Sequence, residues 1–104
     1  MATKVIANKE VEVDAEGYLV NPEDWTPEIA KAIAEEMGIE LTDRHWEIIE
    51  FVRNYYKEKG TSPTLRQISK GAGVPTKELF QLFPKGPGKK VARIAGVPKP
   101  EGCI

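Results

Sequence analysis

The chain of 104 residues has the size of one ordinary domain, ~100–150 residues, and we expect a single domain over residues 1–104. Hydrophobic residues make up 40% of the chain and charged residues 30%, which excludes the disordered and fibrous classes. No apolar run approaches the ~20 residues of a membrane-spanning helix, and the first residues lack the apolar stretch of a secretory signal. We therefore expect a cytoplasmic protein.

The net charge of -1 hides an uneven distribution. Residues 1–50 contain 4 Lys/Arg and 13 Asp/Glu, whereas residues 51–104 contain 11 Lys/Arg and 3 Asp/Glu. Such an asymmetry predicts a basic surface for an anionic or acidic partner in the second half. The alternative is that the two halves attract each other or that both charge sets are simply solvated.

The first twenty residues predict a small hairpin region. Apolar and polar residues alternate over residues 4–7 and 10–13, which is typical of two short strands around a turn at residues 8–9. A second turn precedes residues 18–20, which we interpret as a possible third strand. Since a lone hairpin is marginal in water, we expect it to pack on helices.

The rest of the chain predicts a small orthogonal helical bundle, so the fold class is mainly α. Asp24 or Thr26 can cap the first helix and Thr42 the second, and glycines at 38 and 60 follow the apolar periodicity of these two helices. We predict the longest helix, from residue 42 to about 60, to be central. The predicted helices cover residues 26–37, 42–60, 62–71, 76–83 and 89–95.

Residues 64–83 have the spacing of a helix–turn–helix. This unit predicts either a DNA-binding regulator, with its second helix in the major groove, or an ordinary packing unit. Thr76, Lys77, Glu78 and Gln81 are the residues that we expect to be exposed on the second helix. Only one of them is positively charged, which is too few to dominate phosphate binding. DNA binding therefore stays an alternative.

The only cysteine, Cys103, is the next-to-last residue. Prolines at 98 and 100 exclude a helix and predict an extended arm over residues 96–104. A thiol on such an arm is open to oxidation unless the protein uses it. Cys103 is therefore the first candidate for a functional residue.

Five cations and no acid lie between Pro84 and Pro100. We predict that they favour the thiolate of Cys103 or bind acidic partners, whereas Glu101 and the terminal carboxylate oppose the thiolate. The five cations are Lys85, Lys89, Lys90, Arg93 and Lys99.

The sequence predicts neither a metal site nor a cofactor. One histidine, His45, and one cysteine cannot supply the usual four ligands of zinc. A Cys–His nucleophilic pair would require the arm to fold back onto His45. Residues 86–90 superficially match a phosphate-binding loop, but its first glycine and its Ser or Thr are missing.

The chain resembles the DsrC/TusE family, small proteins related to the gamma subunit of dissimilatory sulfite reductase and to a sulfur-relay protein. The resemblance covers nearly the whole chain and is most specific in the C-terminal third. The matching segments are LFPKGPGKK at 82–90, RIAGVPKP at 93–100 and GCI at 102–104, with DAEGYL at 14–19, EDW at 23–25, LTDRHW at 41–46 and VRNYY at 52–56 upstream.

The resemblance implies a helical bundle with helix–turn–helix topology and a protein that carries sulfur on Cys103, as a persulfide or bonded to a partner's sulfur. It implies a sulfurtransferase-type carrier rather than a stand-alone catalyst. Members that serve sulfite reduction have a second cysteine where this chain has Ala92, so no internal disulfide is possible here. This difference favours the TusE-like class, whose partners are a TusBCD-type donor complex and a tRNA thiouridylase that makes 2-thiouridine. The alternative is a partner subunit of dissimilatory sulfite reductase.

Overall fold

The structure, a computed structural model, describes residues 2–98 and begins with a β-hairpin. Strand β1 (Ala2–Ile6) pairs antiparallel with β2 (Lys9–Val13). Ala7 and Asn8 form the two-residue turn with positive φ angles of 53° and 65°. Positive φ at both positions matches the twist of the turn to that of the strands. The turn lies one residue earlier than predicted.

The possible third strand is reduced to one β-bridge. Leu19 forms a single β-bridge with Val13, and the pairing does not extend beyond these two residues. The Asp14 side chain explains this, because its Oδ1 accepts hydrogen bonds from the backbone N–H groups of Glu16 and Tyr18. The chain turns there instead of extending, and Tyr18 and Leu19 are buried as packing residues.

A 3-10 turn at Pro22–Asp24 precedes the first two α-helices, α1 (Pro27–Glu36) and α2 (Asp43–Lys59). Thr26 caps α1, since its side chain accepts a hydrogen bond from the backbone N–H of Ile29. Both helices confirm the bounds predicted from cap residues and glycines to within a few residues.

Three shorter helices follow: α3 (Leu65–Ala72), α4 (Thr76–Leu82) and α5 (Pro87–Ala95). The prediction that α3 begins at residue 62 is wrong, because Thr64 and Gln67 form a reciprocal capping box that starts the helix at residue 65. The start of α5 lies two residues earlier than predicted. Its first residue is a proline, which suits the first helical position because it needs no N–H donor there.

The helices pack as a bundle around one hydrophobic cluster that also includes the inner face of the hairpin. The long helix α2 packs on both α5 and α3, as expected of a central helix, while α5 also contacts α1 and α4. The mainly α bundle with helix–turn–helix topology and N-terminal hairpin is therefore confirmed. No helix within residues 2–98 combines the length and apolarity needed to cross a bilayer.

Candidate functional site

The segment that leads to Cys103 begins at the C-terminal end of α5. Gly96 ends the helix with a φ of 71°, and its N–H donates to the Arg93 carbonyl. The N–H of Val97 donates to the Ala92 carbonyl at 3.1 Å. This is the Schellman pattern, which requires a residue that tolerates positive φ. Val97 is fully buried, so the packed fold continues past residue 96, where the sequence analysis places the start of the arm.

Two side chains from distant parts of the sequence bind the last carbonyls of α5. Trp25 donates from Nε1 to the Ile94 carbonyl at 2.8 Å, and Arg53 donates from Nη1 to the Ala95 carbonyl at 2.7 Å. The Arg53 guanidinium also lies over the Trp25 ring, 4.2 Å from its centroid. Helix C-termini leave carbonyls without intrahelical partners, and these two side chains supply them.

Partial burial affects the pKa of Arg53. Desolvation lowers the pKa of Arg53 from its ordinary value, yet an arginine remains charged at neutral pH. Its Nη2 makes a further hydrogen bond of 3.3 Å to the Pro22 carbonyl. One half-buried cation thus joins the 3-10 turn, α2 and α5.

A third side chain binds the chain beyond the helix. The hydroxyl of Ser62, which is 8% exposed, donates to the Pro98 carbonyl. We call residues 96–98 the arm root, and Trp25, Arg53 and Ser62 the arm-root cluster. The cluster holds the backbone on both sides of Gly96.

The arm-root cluster borders open surface on one side. Trp25 and Arg53 contribute to the wall of a groove of about 490 Å³, together with Trp46 and Asn54. Arg53 and Val97 also line a neighbouring groove of about 390 Å³. The arm root is therefore fixed to the bundle beside surfaces that a partner can reach.

None of the three members of the arm-root cluster was predicted from the sequence. Trp25 and Arg53 lie in segments that match the DsrC/TusE pattern, but no role was attached to them. Ser62 was predicted to start a helix. A hydrogen bond across 36 or more residues leaves no local periodicity in the sequence, so only the fold reveals it.

The predicted cations lie at different depths. Lys85 and Lys89 are exposed and Lys90 is half-buried. Lys85 adopts a positive φ of 59° just before Gly86. Among residues 2–98, none of these lysines forms an ion pair, so their charges are available to an outside anion. Lys99, the fifth predicted cation, lies outside the described residues.

Arg93 differs from the lysines. Its guanidinium packs over the backbone of Gly17, where an added Cβ would come 3.0 Å from Nη2. The Nε atom is buried and has no hydrogen-bond partner within residues 2–98. Arg93 therefore joins α5 to the turn after the hairpin, and only part of its side chain faces solvent.

His45 has a structural role. The backbone N–H of Thr42 donates to its Nδ1 at 3.0 Å, and Nε2 lies 2.9 Å from the Leu82 carbonyl. Since Nδ1 accepts, the ring carries its proton on Nε2 and donates to that carbonyl. The ring also packs edge-on against Phe83. With both nitrogens in use, the side chain joins the start of α2 to the end of α4.

The helix–turn–helix formed by α3 and α4 shows little that favours DNA. Lys77 and Gln81 are exposed on α4, and Glu78 is paired with Arg44 at 2.9 Å. Arg44 donates hydrogen bonds to the carboxylates of Glu78 and Glu47, which raise the pKa of Arg44. Lys77 is thus the one cation on α4, as predicted. The ion pair between Glu78 and Arg44 holds α4 to α2.

The predicted thiol, Cys103, lies outside the described residues. Within residues 2–98, no group of three His, Asp or Glu side chains is placed to hold a metal ion. The described site is thus the arm root, five residues before the cysteine, together with the lysines of residues 85–90.

Known proteins share both the sequence and this fold. The profile of the family described as "DsrC like protein" matches residues 5–104. The sulfurtransferase TusE of Photorhabdus laumondii is 44% identical, with all of both chains covered. The gamma subunit of dissimilatory-type sulfite reductase from Nitratidesulfovibrio vulgaris is 42% identical, again over the whole of both chains. The solution structure of DsrC from Allochromatium vinosum matches with a TM-score of 0.87 and 42% identity, covering 98% of this chain and 97% of that one.

The fold and the site together define a small helical-bundle protein whose final helix is held at its C-terminus and leads into a cysteine-containing end. The chain belongs to the DsrC family. The resemblance inferred from the sequence is confirmed over the full length.

Proposed function

We propose that the protein is a sulfur-relay carrier that holds one sulfane sulfur on Cys103 as a persulfide and passes it to a partner enzyme. One observation carries the proposal: the sole cysteine is the penultimate residue of a chain that matches, end to end, a relative named a sulfurtransferase. The anchored arm root supports it, because a carrier needs a fixed base from which its reactive end is presented.

The transfer requires no external oxidant. The Cys103 thiolate attacks the outer sulfur of a donor persulfide, and a new S–S bond forms on Cys103. The S–S bond of the donor breaks, and its electron pair leaves with the donor cysteine as a thiolate. The same exchange in reverse roles gives the sulfur to the acceptor.

The lysines of the C-terminal third supply charge for this chemistry. Lys85, Lys89 and Lys90, with Arg93 and Lys99, are proposed to bind acidic partner surfaces or to favour the anionic form of the thiol or persulfide. Support comes from the exposure of Lys85 and Lys89 and from the lack of ion pairs on the lysines within residues 2–98.

For the partners, we propose a TusBCD-type donor complex and a tRNA thiouridylase acceptor, in the cytoplasm, where reducing conditions keep a lone thiol available. The second candidate is a partner subunit of dissimilatory sulfite reductase, which the gamma-subunit relative favours. Ala92 counts against it, because a chain with one cysteine cannot form an internal disulfide. The DNA-binding alternative gains no support from the relatives reported above.

Intact-mass measurement tests the carrier. After incubation with a persulfurated donor complex, wild type should gain ~32 Da, one sulfur atom, on a thiolate nucleophile. The gain should vanish after reduction with a thiol reagent. Co-purification with the unmodified chain and with Cys103→Ser should separate the two candidate pathways, by recovering either a thiouridylase or a sirohaem enzyme.

Cys103→Ser is also the matched control for loading. If the variant gains the same mass, the sulfur resides elsewhere. If wild type gains none, the protein is not a carrier. The melting temperature of the variant should remain within about 1 °C of wild type, because we expect the arm to contribute little packing. In a domain of this size, each ~1 kcal/mol of stability would shift the melting temperature by about 4–8 °C.

A further inference from the structure

Three side chains from three separate segments bind the backbone around Gly96. Trp25 comes from the loop before α1, Arg53 from α2 and Ser62 from the loop before α3. Their acceptors are the carbonyls of residues 94, 95 and 98. A helix end needs such partners for stability, and the bonds to the carbonyls of residues 94 and 95 meet that need. The third acceptor, the carbonyl of Pro98, lies beyond the helix.

We infer that the arm-root cluster is a positioning device for sulfur transfer, which fixes the point from which Cys103 reaches a partner. This inference rests on the proposed carrier function. Trp25, Arg53 and Ser62 are positioning residues in it, since none of them is required to touch the reacting sulfur.

Chain geometry gives the size of the effect. Cys103 follows Pro98 by five residues, so its Cα lies within ~18 Å of the Pro98 Cα at full extension. If residues 96–98 detached, the last fixed point would be Ala95, eight residues away, and the reach would grow to ~28 Å. At full extension the volume open to the thiol then rises roughly fourfold, whereas for a flexible chain its effective concentration at a docked partner falls about twofold.

The chemistry of Arg53 suits this role better than that of a lysine. A planar guanidinium can donate to two carbonyls while stacking on an indole, and here it does all three. An ammonium at the same place keeps the charge but loses the stacking and one fixed donor direction. Arg53→Lys should therefore loosen the arm root while keeping a positive charge at this position.

Gly96 completes the arrangement. A Cβ at this position would lie 2.9 Å from the Cβ of Trp25, so the indole covers the backbone of the arm root directly. Such a close approach is possible only at glycine. The tryptophan thus packs on the turn itself as well as binding the helix end.

The experiment uses Arg53→Lys and Ser62→Ala in the full chain, with two exposed neighbours as matched controls, Arg66→Lys and Thr61→Ala. Each variant is loaded with sulfur from inorganic polysulfide, a small donor, and from a purified persulfurated TusBCD-type complex. Hydrogen exchange of the Val97 amide measures the arm root directly, since that N–H is bonded to the Ala92 carbonyl.

Loading from polysulfide should equal that of wild type in every variant, because a small donor reaches the thiol wherever the arm points. Loading from the protein donor should fall about two- to fourfold in kcat/KM for Arg53→Lys, and by a smaller factor for Ser62→Ala. Val97 should exchange at least tenfold faster in Arg53→Lys. The controls should match wild type in all three measurements.

Two outcomes overturn the inference: protein-donor loading that equals wild type in both variants, or polysulfide loading that falls as much as protein-donor loading. Ser62→Ala decides the matter if Arg53→Lys does not fold, because it removes only one hydroxyl. Failure of the carrier function is distinguishable, since wild type would then load from neither donor.

Discussion

Helices α4 and α5 are neighbours of similar length, but they make very different use of the fold. On α4, only Leu79 is buried, and Phe80 is 49% exposed. On α5, most residues are buried and both Trp25 and Arg53 bind its last turn. The helix that a DNA-binding protein would use for recognition is thus the loosely held one, whereas the helix that leads to Cys103 is built into the core. The fold therefore holds α5 more firmly than α4.

The largest effect should come from truncating the core face of α5. Ile94 has no exposed surface, so Ile94→Ala should lower the free energy of unfolding by ~2–5 kcal/mol. Phe80→Ala on α4 should change it by ~0.5 kcal/mol or less, since the ring is half-exposed. Urea denaturation of both variants measures the contrast. Equal losses would remove the distinction between the two helices.

Two helix-terminal glycines give a sharper form of the same comparison. Gly73 ends α3 and Gly96 ends α5, with φ angles of 69° and 71°. A Cβ meets nothing within 4 Å at Gly73 but collides with Trp25 at Gly96. Gly73→Ala should cost ~1–2 kcal/mol for the left-handed backbone alone. Gly96→Ala should cost ~1–3 kcal/mol more from overpacking.

Unfolding curves of the two alanine variants therefore separate backbone strain from steric conflict. If both variants lose the same stability, the indole must move aside freely, and the contact between Trp25 and the arm root is looser than the structure indicates.

Shortening the chain separates the packed arm root from the end that follows it. Val97→Ala should lower the free energy of unfolding by ~1–2 kcal/mol, because the side chain is fully buried. Removing residues 99–104 should cost well under the ~1 kcal/mol typical of a point mutation. Thermal melts of both variants decide, and a larger loss from the deletion would show that the final residues stabilise the fold.

A modest effect on stability is expected at Ala92, which is 2% exposed on α5. Ala92→Cys adds one sulfur atom to the core and should cost about 1 kcal/mol, the low end of the range for overpacking. Its thiol should react with a maleimide at least tenfold more slowly than that of Gln81→Cys on the exposed face of α4, each in a Cys103→Ser background.

Oxidation extends this prediction to function. Wild type has no internal partner for Cys103, so mild oxidants should produce a disulfide-linked dimer or higher sulfur oxides. Adding Ala92→Cys to a chain that keeps Cys103 should divert only part of the product to an internally bridged monomer, since the new thiol is buried. Non-reducing electrophoresis shows the ratio. An oxidised wild type that stays a thiol-reactive monomer would contradict the accessible arm.

Local sequence was enough for the existence of the five helices and for the family, but not for the starts of α3 and α5. Thr26 and Thr42 mark helix starts and Gly38 and Gly60 mark ends, because a cap acts within three or four residues of itself. The C-terminal pattern around Cys103 was equally readable, since it is contiguous. The single cysteine excludes an internal disulfide, and the resemblance to the family identified Ala92 as the position where other members have a second cysteine.

The tertiary structure decided what surrounds that pattern. Trp25 and Arg53 bind α5 across 69 and 42 residues of sequence. Thr64, and not Ser62, caps α3, and the Ser62 hydroxyl donates to the Pro98 carbonyl instead. Arg93, interpreted as a surface cation, proved to pack over Gly17. Each of these contacts needs the chain to return on itself before the partners meet, and backbone carbonyls bound by distant side chains leave no periodic trace in the residues that own them.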